Sequence, residues 1–301
     1  MAEVTYRPGT NDDSFTVFEI FVRTILDLSR RMGVETISGG QDESALQKLW
    51  ARRRPLFEHL ARTGEHFWLA EKEGQPIGYA RSILRDGLRE LTEFFVLPDQ
   101  QSAGVGRELL NRVFPAEGAR HRSLVATPDT PAMVRYLKAN VYPHGIVNYF
   151  SRKPRQVEVA TDLAFEPMSA SPDTLDHLWA VDQVLLGHRR DVDHIWLLDT
   201  RQGYLYRRAG QVAGYGYVGD YSGPFAVLDD TDFPAVLAHA ERQASDITDE
   251  FGLEVPLENR AVVDYLLAQG FRMEDFITLF MSDARIGKFE NYILTSPPFF
   301  V

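Results

Sequence analysis

The sequence predicts two α/β domains in tandem, of α+β mixed-sheet type, each a mostly antiparallel sheet flanked by helices. Three observations predict it. The chain has 301 residues, about twice the usual single-domain length. The turn Gly74-Gln75-Pro76-Ile77-Gly78-Tyr79 recurs downstream as Gly210-Gln211-Val212-Ala213-Gly214-Tyr215. Strand-like and helix-like runs follow the same order around both copies, as a tandem duplication produces.

In the first half, a β-like start at 4–7 precedes apolar residues at helical spacing over 15–32. Gly39-Gly40 interrupts, and a second helical stretch runs over 42–63 with Asp42 or Ser44 available as its cap. Strand-like runs at 66–72, 76–84 and 90–97 are separated by Gly74-Gln75 and Asp86-Gly87, which predicts an antiparallel meander. After Pro98 come a helix (104–114), a strand (123–127), a helix (131–140) and a strand (146–151). The basic, Pro-containing stretch Arg152-Lys153-Pro154-Arg155 marks the expected boundary, giving domains 1–155 and 156–301. The second half repeats the programme: a strand at 163–167, helices at 174–187 and 192–199, strands at 204–208, 212–218 and 224–228. A helix (233–250), a strand (253–256) and a helix (258–269) complete it.

Composition narrows the function. With 44% hydrophobic and 25% charged residues the chain is globular rather than disordered. It has no cysteine, which excludes disulfides, a thiolate nucleophile and cysteine-ligated zinc. No apolar run approaches the roughly 20 residues that span a bilayer, and the N-terminal residues lack a signal-peptide layout. A soluble, cytoplasmic protein without membrane attachment is expected. Residues 1–155 hold 22 Lys+Arg against 19 Asp+Glu, and the remainder 10 against 24. Only the first half therefore suits a polyanionic ligand, and nucleic acid is not an expected partner. The eight histidines show no tight pair or His-Glu-x-x-His, so no metal is expected; His188 and His194 are assigned surface or structural roles. Arg52-Arg53-Arg54 reads as a solvated helix turn, with a phosphate contact as the alternative. The apolar tail 296–301 is expected to dock on a core, across the domain interface or into a dimer mate.

The strand Glu90-Leu-Thr-Glu-Phe-Phe-Val-Leu97 runs into Pro98-Asp-Gln-Gln-Ser-Ala-Gly-Val-Gly106 and then into an amphipathic helix. The first amides of a helix lack intrahelical acceptors, and the dipole favours negative charge there. Gly104 and Gly106 remove side chains where a pyrophosphate must approach the backbone, Gln101 brings an amide donor and Arg107 a cation. The spacing matches neither a P-loop nor a dinucleotide fingerprint, because no Gly-Lys-Ser/Thr occurs and Leu109 stands at the third-glycine position.

These residues resemble the acetyl-CoA motif of the GNAT N-acetyltransferase superfamily, Gln/Arg-x-x-Gly-x-Gly/Ala between the fourth strand and third helix. The order of elements over 4–154 resembles that fold, and the duplicated layout is similar to tandem two-domain members such as mycothiol synthase-like proteins. The resemblance implies that backbone groups of Phe95, Val96 and Leu97 pair with pantetheine, while Gln101, Ser102, Ala103, Gly104, Val105, Gly106 and Arg107 hold the pyrophosphate. Asp129-x-x-Ala132-x-x-x-Tyr136 resembles the helix whose tyrosine protonates the leaving thiolate, and a phenol of pKa about 10 suits that role. The departure is Asn140-Val141-Tyr142 in place of Gly-Phe, with Asn140 still able to take the left-handed cap. Glu90 stands where some members carry a strand-four base. Glu93, on the opposite face of the strand under strict alternation, is the second candidate. Val96 is implied as the oxyanion donor.

The second half lacks these residues. Gln101 aligns with Asp232, Gly104 with Ala235, Gly106 with Leu237 and Tyr136 with Leu266, while Tyr265 lies about 100° round the helix. The expectation is an active N-terminal domain and a degenerate C-terminal copy. The enzyme would transfer an acyl group from acetyl-CoA, or another acyl-CoA, to a primary amine of a small molecule by direct transfer. The acidic second half either steers a cationic amine or only keeps the protein soluble. A monomer or homodimer fits equally. The alternative is a non-catalytic acyl-CoA sensor or scaffold with the second domain as recognition surface.

Overall fold

The computed structural model describes residues 3–34, 42–101, 104–295 and 297. They fall into two compact units: Met1–Tyr142 with Met281–Ala284, and Pro143–Phe280 with Arg285–Val301. Among the described residues no helix is long and apolar enough to cross a membrane.

In the first unit, β1 (Val4–Pro8) leads to α1 (Ser14–Met32) and α2 (Glu43–Thr63). Gly33 ends α1 in the left-handed conformation (φ 66°), and Asp42 caps α2 by accepting from the Ala45 amide at 2.8 Å. Then come β2 (His66–Lys72), β3 (Gln75–Arg85), β4 (Leu88–Val96), α3 (Val105–Val113), β5 (His121–Ala126) and α4 (Thr130–Lys138). The strands lie in the order β1-β2-β3-β4-β5. The expected meander is present, every pair being antiparallel except β4–β5, whose parallel pairing requires the α3 crossover.

Two irregularities in β4 shape this unit. Arg81 faces Glu93 while its neighbour Ser82 faces Leu91, so Thr92 is an extra residue, a β-bulge. The pairing of β4 with β5 covers only Leu88↔His121 to Leu91↔Leu124. From the bulge onward, β4 keeps β3 on one side and has no strand partner on the other among the described residues.

The second unit contains β6 (Tyr142–Arg152, from Pro143), β7 (Ala164–Met168), α5 (Pro172–Leu185), α6 (Asp191–Thr200), β8 (Gln202–Arg208) and β9 (Gln211–Val218). It continues with β10 (Phe225–Val227), α7 (Phe233–Ala244), β11 (Phe251–Pro256), α8 (Arg260–Ala268), β12 (Arg272–Ser282, to Phe280) and β13 (Tyr292–Ile293). One sheet runs β13-β10-β9-β8-β7, and β6 pairs antiparallel with β11. The sequence boundary at 155 and the contact boundary at 142 differ by one strand, β6. Its register with β11 runs from Val147↔Pro256 to Arg152↔Phe251. The expected linker is tied down as well. Arg152 pairs with the buried Glu241 of α7 at 2.6 Å, and the Arg155 amide donates to the same carboxylate at 2.8 Å. Helix α7 ends at Ala244, earlier than the 250 read from the sequence, and buries residues on every side.

Candidate active site

The α3 N-terminus forms as its two glycines require, for different reasons. Gly104 is the N-cap and sits at φ 80°, where an L side chain is strained. Gly106 is needed for space, since a Cβ there would lie 3.1 Å from the Phe94 ring and 3.3 Å from Arg135 Nε. The amides of the first turn have no intrahelical acceptor; the first α3 bond of the loop side is Glu108 N–H to Gly104 O at 3.2 Å. Ser102 and Ala103, expected in the same loop, lie outside the described residues. The Gln101 amide donates to the Val96 carbonyl at 3.1 Å, so it closes the end of β4 rather than reaching over α3. Arg107 is largely exposed and faces Glu108 at 3.6 Å.

Of the backbone groups expected at the strand edge, Val96 is the one that faces it. The Leu97 amide is taken by the Ile77 carbonyl of β3 at 2.9 Å. Backbone groups of an extended strand alternate in direction, so Phe95 and Leu97 point their amides at β3 while Phe94 and Val96 point theirs at the unpaired edge. Phe94 is therefore an edge residue that the sequence reading did not name.

Tyr136 lies on the buried face of α4, and its ring meets Phe94 edge-on at 6.2 Å. Asp129 caps this helix through the Ala132 amide (3.2 Å) and pairs with Arg31 of α1 (3.2 Å). Burial, with a smaller contribution from Asp129, raises the Tyr136 phenol well above its ordinary value, so it stays protonated across the physiological range. Among the described residues its hydroxyl has no hydrogen-bond partner. Asn140 ends the helix at φ 61°, the left-handed cap expected of it.

The two carboxylates behave differently from expectation. Glu90 pairs with Ile83 and Glu93 with Arg81, positions two apart on β3. Cross-strand partners share a face, so the bulge brings Glu90 and Glu93 to the same face, where unbroken alternation would separate them. Both are buried. Glu93 accepts from Tyr79 at 2.9 Å and forms an ion pair with the fully buried Arg81. Arg81 also donates to the Phe57 carbonyl (2.8 Å) and stacks on the Phe67 ring at 4.8 Å. Burial pushes the Glu93 carboxyl up and Arg81 opposes it. Arg53, read as part of a solvated turn, is buried against this face because α2 turns its side chain towards the sheet; Arg54 is the solvated one, paired with Glu58 at 2.7 Å.

Residues 63–140, which include β2 to β5 and both glycines, match the family model of the acetyltransferase (GNAT) domain. That match lies within the first unit, and over its whole length the chain resembles tandem GNAT proteins in fold. The whole chain is similar in fold to an acetyltransferase candidate from Pyrococcus horikoshii (14% identity, TM-score 0.71, covering 96% of this chain and 92% of that one). It is likewise similar to a GCN5-related N-acetyltransferase from Sphaerobacter thermophilus (12%, TM-score 0.59, 93% and 95%). A tandem GNAT protein from the clavulanic acid biosynthesis pathway aligns over 94% of this chain and 99% of that one, at 11% identity and TM-score 0.54. No curated protein matches the sequence.

The second GNAT copy differs at each corresponding position. Leu237 and Leu266 are core residues, and Asp232 is held by Arg208 at 2.6 Å. Asp229 accepts from the Thr231 amide at 3.0 Å, turning the acidic loop back on itself. Tyr265 is half-buried, and its hydroxyl has no partner among the described residues. His188 and His194 are both buried, and no group of three or more His, Asp or Glu that could hold a metal occurs among the described residues.

Proposed function

We propose that the N-terminal GNAT domain binds an acyl-CoA and transfers its acyl group to a primary amine of a small molecule by direct transfer. The observation that supports it is a convergence around Phe94. The glycine cradle of α3, the unpaired edge of β4 and the Tyr136 ring all meet this one side chain. The lack of a Cβ at Gly106 lets the Phe94 ring and the Arg135 guanidinium close against the start of α3, and the Phe94 backbone with the Val96 amide is turned to the open edge, where a pantetheine arm would pair.

The thioester supplies the acyl group. The amine nitrogen attacks its carbonyl carbon, forming the C–N bond as the C–S bond breaks. The Val96 amide, turned to the open edge, donates to the developing oxyanion. Tyr136 is the proton source for the departing thiolate, and burial keeps it protonated at neutral pH until the thiolate forms. Glu90, on the same face of β4 as Glu93, is the residue to which the amine proton is assigned, while Glu93 pairs with Arg81 and Tyr79. Glu93 then serves to hold β3 and β4 together across the bulge. The acidic second half (10 Lys+Arg against 24 Asp+Glu after residue 155) favours a cationic acceptor by long-range attraction.

Calorimetric titration of acetyl-CoA tests this reading, with Gly104→Leu/Gly106→Leu as the control. Micromolar binding to wild type that vanishes in the variant is the expected result. No binding to wild type overturns it. Binding without turnover on any of a panel of amines would favour an acyl-CoA sensor instead.

A further inference from the structure

Arg135 brings a second cation to the α3 N-terminus, and nothing in the sequence motif pointed to it. It stands on α4 beside Tyr136, yet its guanidinium lies 3.3 Å (Nε) and 3.6 Å (Cζ) from where a Gly106 Cβ would be. Its Nη1 donates to the Pro131 carbonyl of its own helix at 2.6 Å, which holds the group folded towards α3. Among the described residues no carboxylate pairs with it. The nearest acid along α4, Asp129, is committed to the helix cap and to Arg31.

The arrangement sets two positive features side by side. The start of a helix carries roughly half a positive charge, and its first amides are donors without acceptors. A guanidinium adds a full charge and a planar fork of donors. An anion with several oxygens placed there would meet the guanidinium and the helix amides together. Arg107, the cation that sequence position suggests, is largely exposed and faces Glu108, so it is screened by water and by a neighbouring acid.

We propose that Arg135 is a phosphate ligand of the acyl carrier, binding the pyrophosphate opposite the α3 amides and setting preference for the phosphorylated carrier over its unphosphorylated pantetheine part. This inference rests on the acyl-CoA reading of the site. It assigns the same guanidinium that borders Tyr136 to the phosphate end, so α4 contributes to both ends of the carrier's path.

The test compares CoA, 3′-dephospho-CoA and pantetheine on wild type, Arg135→Gln and Arg135→Lys. Calorimetry serves for the two nucleotides and ligand-observed NMR for pantetheine, with melting temperature recorded for each variant. Arg135→Gln is expected to weaken CoA and 3′-dephospho-CoA alike by about tenfold or more, as loss of a charge-assisted hydrogen bond does. Pantetheine binding should be unchanged, the salt dependence of CoA binding shallower, and Arg135→Lys intermediate. If wild type binds CoA and Arg135→Gln binds it within twofold as well, the role of Arg135 is overturned while the acyl-CoA reading stands. Equal losses for CoA and pantetheine would mean disruption of α4 and overturn it too. A loss confined to CoA, sparing 3′-dephospho-CoA, would move the contact to the 3′-phosphate and refute the pyrophosphate assignment. Wild type that fails to bind CoA overturns both readings.

Discussion

In the first unit β4 ends with an open edge, and its counterpart in the second unit, β10, has that edge filled. Beyond Leu91, β4 pairs with no strand except β3 among the described residues. In the second unit β10 is paired there by β13, with Phe225↔Ile293 and Ala226↔Tyr292 in register. The next residue continues across to β11, the Leu294 amide donating to the Glu254 carbonyl at 3.1 Å. Residues 292–294 thus supply from the chain itself backbone hydrogen bonds at an edge that has no strand partner in the first unit among the described residues. An unsatisfied strand edge is a liability that proteins cover. One copy covers it permanently, and in the other the cover is the proposed carrier.

The helix that follows tells the same story. In α3 a left-handed Gly104 and a Gly106 without side chain keep the amides approachable, whereas α7 places Ala235 and Leu237 there and buries them. The buried polar clusters also correspond. Tyr79 and Tyr215, equivalent in the repeated turn, each donate to a carboxylate held by a buried arginine: Glu93 with Arg81, and Asp182 with Arg190. In the first unit the carboxylate comes from β4 itself and stiffens the bulge. In the second it comes from α5 and is joined by His194, at 2.9 Å from Asp182 and 2.8 Å from Tyr217, all fully buried. The network that borders the site in one copy has become core in the other.

The strongest way to break this comparison is to exchange the helix residues. Gly106→Leu should lower CoA affinity by about a hundredfold or more, because the side chain strikes Phe94 and Arg135. Leu237→Gly should create no CoA binding and should cost about 3–5 kcal/mol in denaturant unfolding, as cavity and helix-glycine losses add. CoA binding by a Leu237→Gly/Gly106→Leu double variant would sink the assignment of roles to the two units. Next in size, Asp182→Asn should destabilise by about 3–5 kcal/mol, since it leaves Arg190 buried without its counter-charge; a loss below about 1 kcal/mol would mean that the cluster is not a structural unit.

Tyr136→Phe should reduce kcat at least tenfold, roughly 1.4 kcal/mol of transition-state stabilisation, with little change in CoA affinity. Tyr265→Phe, the near-miss in the other copy, should leave the rate alone. Equal effects of the two would remove the distinction. The smallest effect is one of pH. His239 of α7 stacks on Phe165 at 4.1 Å, and burial lowers its pKa to about 4 from 6.5. The unfolded chain therefore binds the proton more tightly. His239 is compatible with full stability above pH 6.5, and stability declines as pH falls from there towards 4. Melting temperatures over that range should fall less for His239→Phe than for wild type, and parallel curves would show that His239 is not the titrating group.

Much of this was legible in the chain. The meander shows in the Gly74 and Gly87 turns, α2 in its Asp42 cap, and the glycine start of α3 in Gly104 and Gly106, because each depends on residues within one turn of one another. Asn140 was readable as a left-handed cap for the same reason. The bulge at Thr92, which reverses the facing of Glu93, was not readable, since it depends on how β4 registers against β3. Nor was the burial of Arg53.

The sequence by itself determined which elements form, where the first helix amides are left bare, and that the second copy had lost its glycines. Those are local properties of backbone conformation and side-chain volume. Only the tertiary structure decided which amides of β4 face the open edge, that Arg135 rather than Arg107 stands over the Gly106 cradle, and that residues 292–294 close the second copy. These depend on pairing and packing between segments far apart in the chain, where the favourable contacts exist only once the sheet has formed.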